Sequence, residues 1–122
     1  MSLRFGSAVR LHSRREFLAV QEQGRRISGR YLTMLALPNS RGCYRLGIVA
    51  SKRIGGAVKR NRAKRRLRDL FRHANPDRQT ASKQTGFDLV VIARRQLIDA
   101  PHTRLAADFS AALDRVDPGL RA

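Results

Sequence analysis

The chain has 122 residues, 42% of them hydrophobic, and carries 26 Lys and Arg against 9 Asp and Glu, a formal charge of +17. That length predicts one domain able to bury a core without metal or disulfide staples, and the apolar fraction excludes a disordered basic tail. A self-repelling charge of this size excludes a free-standing neutral domain and points to a polyanionic partner.

Met1 to Arg15 is interrupted by Arg4 and Arg10 and has no continuous apolar stretch, unlike a secretory signal. Ser13-Arg14-Arg15-Glu16 fits a capping box, the Ser13 hydroxyl accepting from the Glu16 amide while Glu16 reaches back. This predicts a helix over about 14–23 with Gly24 as its stop. Arg30 to Leu37 reads as a strand, with Tyr31, Thr33, Leu35 and Leu37 on one face and Leu32, Met34 and Ala36 on the other. Pro38-Asn39-Ser40-Arg41-Gly42 is turn-rich and leads to a second strand over Tyr44 to Ser51, so the two are expected to pair as a hairpin. The only cysteine, Cys43, excludes an internal disulfide framework, suits a reducing cytoplasm, and reads as a bland thiol near a strand.

The next segment concentrates the charge. Residues 52–72 hold ten basic groups and one acid, Asp69, more than half of the net charge in one short stretch. Gly55 and Gly56 end the strand and free backbone amides at the start of a helix over about 57–73. The spacing of glycines, Lys and Ser/Thr is not that of a nucleotide-binding P-loop. At about 100° per residue, Ala63, Leu67, Leu70, Phe71 and Ala74 form one apolar stripe. Asn61, Lys64, Arg65, Arg68 and Arg72 share a different arc with Arg62 beside it, and Arg60 falls near the apolar stripe. A merely solvated face normally mixes signs, because like charges one turn apart destabilise a helix by a few tenths of a kcal/mol per pair. Phosphates reverse that sign, and guanidinium forks suit them.

Residues 74–86, with Asn75-Pro76-Asp77 and Gly86, read as a loop. Phe87 to Ala93 is nearly all apolar and predicts a central strand covered on both faces. Leu105, Phe109, Ala112, Leu113 and Val116 recur at helical spacing and predict an amphipathic helix over about 101–116 that closes the core. No apolar run approaches the roughly 18–20 residues of a membrane span. His12, His73 and His102 show no metal-ligand spacing, so no metal bound by the protein alone is expected.

The run Ser51-Lys52-Arg53-Ile54-Gly55 through Ala57-Val58, then Arg60-Asn61-Arg62, Lys64-Arg65, Arg68 and Phe71-Arg72, resembles the protein subunit of bacterial ribonuclease P. The Leu11…Arg15-Glu16-Phe17 helix, the two strands, Phe87-Asp88 and the last helix fall in the same order. The resemblance implies an α/β (α+β two-layer) domain over 1–122: a mostly antiparallel, mixed sheet of about four strands with three helices. It implies the fold of the second domain of ribosomal protein S5, with a left-handed β-α-β crossover where topology rules alone favour the right-handed form.

The resemblance further implies a cytoplasmic ribonucleoprotein endonuclease with one protein per RNA, in which the RNA subunit is the catalyst and holds most of the Mg²⁺. Its RNA-binding residues carried over by position are Lys52, Arg53, Arg60, Asn61, Arg62, Lys64, Arg65 and Arg68. A cleft lined by Phe17, Leu32 and Met34 would receive the single-stranded 5′ leader of precursor tRNA. The chain departs from the family at Gln21 and Met34, where aromatic residues are common, so the leader grip is expected to rely more on Arg and backbone contacts. Composition alone also admits a ribosomal or other RNA-scaffolding protein. A self-sufficient nuclease would need clustered carboxylates or a His pair, and Asp69, Asp88, Asp99, Asp108, Asp114 and Asp117 show no such motif.

Overall fold

The computed structural model describes residues 11, 13–39, 43–74 and 86–116. Helix α1 spans Arg14–Gln23, and its capping box forms. Ser13 Oγ accepts from the Glu16 N–H at 3.1 Å, and the Ser13 N–H donates to Glu16 Oε1 at 3.2 Å. Gly24 closes the helix, its N–H donating to the Val20 carbonyl at 2.8 Å.

Four strands follow: β1 (Arg25–Ser28), β2 (Leu32–Asn39), β3 (Arg45–Val49) and β4 (Gly86–Ala93). They form one mixed sheet in the order β1-β2-β4-β3. β2 is antiparallel to both β1 and β4, whereas β3 runs parallel to β4. The expected hairpin between β2 and β3 is therefore corrected, because β4 lies between them. A strand as apolar as β4 buries its side chains best with a neighbour on each edge and cover on each face. The hairpin that does form is β1–β2, and β1 has a single buried residue, Ile27, so no alternation announced it.

From β3 the chain enters a short 3₁₀ turn, Lys52–Ile54, with Ser51 Oγ accepting from the Arg53 N–H at 3.3 Å. Gly55 then takes φ +138°, a conformation that side-chain-bearing residues rarely adopt, and redirects the chain into α2 (Ala57–Ala74). The chain returns to the sheet as β4, parallel to β3, completing a β-α-β unit. The loop expected over 74–86 lies outside the described residues apart from its ends, which close α2 and open β4. A second 3₁₀ turn, Arg95–Asp99, leads to the final helix α3 (His102–Val116).

The main core lies between one sheet face and helices α2 and α3. Ile27, Leu32, Met34, Leu46, Leu89 and Val91 meet Leu67, Phe71, Leu105 and Phe109 there. α1 crosses the opposite face, where Val20 packs with Leu11, Leu35 and Val90. The apolar stripe of α2 is buried at Ala63, Leu67, Leu70 and Phe71, but Ala74 is exposed because the helix has by then passed the edge of the core.

Candidate nucleic-acid interface

Burial of the α2 stripe fixes the helix's rotation and so decides which cations face outward. Asn61, Arg62 and Arg65 are exposed, and Lys64, Arg68 and Arg72 are half-buried. Lys52 and Arg53, on the 3₁₀ turn before the helix, are exposed as well. Among the described residues, Lys52, Arg53, Asn61, Arg62, Lys64 and Arg65 make no side-chain hydrogen bond or ion pair. Asn61, Arg65, Arg68, Asp69 and Arg72 line a groove of about 370 Å³ along the helix. Arg60 is half-buried beside the apolar stripe, with its Nε enclosed and without a hydrogen-bond partner among the described residues.

Arg66 behaves differently from its neighbours. Its Nη1 donates to the Leu97 carbonyl at 2.8 Å and the Ile98 carbonyl at 3.2 Å, and its Nη2 to the Ala100 carbonyl at 2.7 Å. It thus ties the second 3₁₀ turn to α2. Burial pushes its pKa down, and the nearby charge of Arg62 adds to the effect. Asp69, the one acid of this segment, pairs with Arg72 one turn on.

The second feature lies under α1. Phe17 packs over the sheet so closely that a Cβ on Gly47 would stand 2.5 Å from its Cζ. Phe17, Leu37, Val49 and Ile92 are partly buried around the apolar floor made by Leu35 and Val90. Leu32 and Met34 do not join them. Both are fully buried in the core beneath α2 and α3, on the other face of the sheet. Strand alternation separates the faces without saying which helix each will meet, and the side of β2 that faces α1 carries Thr33, Leu35 and Leu37 instead. Gln21 is exposed on α1.

Sequence patterns gave no sign of the polar network beside Phe17. Arg45 Nε and Nη2 donate to the two Asp88 oxygens at 2.9 and 2.8 Å, and its Nη1 pairs with Glu16 Oε2 at 2.8 Å. Asn39 Nδ2 donates to the same carboxylate at 2.7 Å. The hydrogen bonds to Asp88 and then Glu16 hold the Arg45 guanidinium above its ordinary pKa despite the opposing effect of burial. At the far end of this face, Arg94 donates to Thr33 Oγ1 at 3.3 Å.

Several acids that a protein-only nuclease would need serve the fold. Asp88 is held by Arg45, and Asp108 accepts from the Arg30 and Tyr31 amides at 3.0 and 2.9 Å. Among the described residues, no group of three or more His, Cys, Asp or Glu side chains could hold a metal ion. None of the described helices is long and apolar enough to cross a membrane.

Comparison with known proteins agrees with this geometry. The sequence model of the Ribonuclease P family matches residues 5–117. A ribonuclease P protein component of Chloroflexus aurantiacus is 41% identical over 107 residues, covering 87% of this chain and 76% of the relative. One from Desulfatibacillum aliphaticivorans is 34% identical over 120 residues, covering 98% of each. The solved ribonuclease P protein of Thermotoga maritima superposes with a TM-score of 0.73 at 31% identity, covering 88% of this chain and 97% of that one. With its fold, its Arg-Asn-Arg helix and its sequence all in agreement, the chain belongs to the ribonuclease P protein family.

Proposed function

We propose that this chain binds the catalytic RNA of ribonuclease P through the outward face of α2 and the preceding 3₁₀ turn, and assists removal of the 5′ leader from precursor tRNA. Maturation of tRNA 5′ ends is the role of the family. The observation that carries the reading is the row of cations without side-chain partners among the described residues, Lys52, Arg53, Arg62, Lys64 and Arg65, on a segment whose opposite side is locked into the core. Such a row repels itself until phosphates neutralise it, and each neutralised phosphate releases a counterion. Arg60, Asn61 and Arg68 complete the surface.

Phosphodiester hydrolysis is the work of the RNA subunit, with Mg²⁺ held mainly by RNA and one protein bound per RNA. The protein contributes charge compensation and substrate selection. The leader passes along the sheet face beside Phe17, where Leu37, Val49 and Ile92 offer apolar contact and Arg94 a cation. Mature tRNA lacks the leader, so these contacts favour substrate over product.

Reconstitution tests this reading. The protein, a matching catalytic RNA, Mg²⁺ and precursor or mature tRNA are combined, omitting each component in turn. Leader release that requires the RNA and is stimulated by the protein at near-physiological magnesium supports it. Cleavage by protein and metal without the RNA, or turnover indifferent to the protein, overturns it.

A further inference from the structure

Asp69 is out of place on an RNA-binding surface. It is the single acid among the ten bases of residues 52–72, and its side chain is 43% exposed. It lines the groove with Asn61, Arg65 and Arg68, and also the adjoining one between α2 and the second 3₁₀ turn, so it stands on the ridge between them. Its ion pair with Arg72 is an exposed contact one turn along a helix, of the kind that contributes little to stability. Its negative charge repels the phosphates that the surrounding cations attract. A carboxylate in this place weakens general polyanion binding and barely supports the helix.

We infer that Asp69 reads a base: its carboxylate accepts hydrogen bonds from the Watson–Crick edge of an unpaired guanine in the catalytic RNA, with Arg72 fixing its orientation. Guanine presents N1–H and N2–H side by side, matching the two oxygens of one carboxylate, and a carboxylate retains acceptor capacity after pairing with one Arg. The base must be unpaired, because the edges of an A-form helix are poorly accessible in its deep groove and RNA sequence is read mainly in loops and bulges. Phosphate contacts from Arg62, Arg65 and their neighbours set the register, and Asp69 supplies discrimination that phosphate contacts lack. The inference rests on the proposed binding of this surface to the catalytic RNA.

The test compares wild type with Asp69→Asn and Asp69→Ala, binding each to the matching catalytic RNA and to poly(U), whose bases have no amino group. Circular dichroism melts establish that each variant is folded. Both substitutions remove a negative charge, so poly(U) binding is expected to hold or strengthen. Binding to the catalytic RNA is expected to weaken about tenfold, the size of one lost base-edge contact. A purely electrostatic role for Asp69 instead strengthens both together, and that result, or no change with the catalytic RNA, overturns the inference. Wild-type protein that fails to prefer the catalytic RNA over poly(U) overturns the underlying assignment of the partner.

Discussion

Glu16 and Arg45 join the first helix to the sheet through a single carboxylate used twice. Glu16 Oε1 completes the capping box with the Ser13 N–H, while Oε2 meets Arg45 Nη1 at 2.8 Å. Arg45, whose side chain is only 8% exposed, forks onto Asp88 with its other nitrogens. Helix start, helix docking and sheet are thereby coupled next to Phe17. Removing one member of a buried pair leaves an uncompensated charge, so Arg45→Met is expected to cost about 3–5 kcal/mol in urea denaturation. Glu16→Gln retains a capping acceptor and sits nearer solvent, and should cost less than about 1 kcal/mol. Equal losses for the two would contradict this division.

Gly47 sets how close α1 can approach. An added methyl would meet the Phe17 ring at 2.5 Å and Leu11 Cδ1 at 3.1 Å, so one of them must move. Gly47→Ala should destabilise by about 1–3 kcal/mol, as overpacking does. Combining it with Phe17→Leu should recover part of that loss, which a double-mutant cycle on denaturation midpoints will read. Simple additivity would mean that the ring is not the obstacle.

Arg66 separates fold from binding within one helix. Its three carbonyl contacts predict that Arg66→Ala loses about 2 kcal/mol of stability, typical of hydrogen bonds from a charged donor. The salt dependence of RNA binding should stay as in wild type. A flattened salt dependence with undiminished stability would place this side chain on RNA instead.

Leu32 and Met34 are core residues, so Leu32→Ala or Met34→Ala should cost about 2–5 kcal/mol while the folded protein keeps its preference for precursor over mature tRNA. Leu37→Ala, half-buried on the face beneath α1, should show the reverse pattern. Paired melting and tRNA-binding measurements distinguish the two.

Much of the architecture was legible because its signals are local. The Ser13–Glu16 cap fixed the start of α1, the buried stripe and cationic arc fixed α2, and the apolar run fixed β4 as central. What escaped the sequence was set at a distance. β1 carries one apolar side chain among Arg25, Arg26 and Ser28, too little for a period. The order of β2, β4 and β3 depends on pairings across long separations, and the same separation hid Arg45 and Asp88, which meet from 43 residues apart. Alternation places Leu32 and Met34 together without fixing which helix layer covers them, so their burial beneath α2 and α3 is not legible in the sequence.

The outward face of α2 lying on RNA is most directly tested by the slope of log affinity against log salt for the catalytic RNA, in wild type, Arg62→Ala and Arg65→Ala. Each substitution should weaken binding and reduce the slope by about one counterion, with stability unchanged. Slopes identical to wild type in both variants would contradict the account, because these side chains would then meet no phosphate.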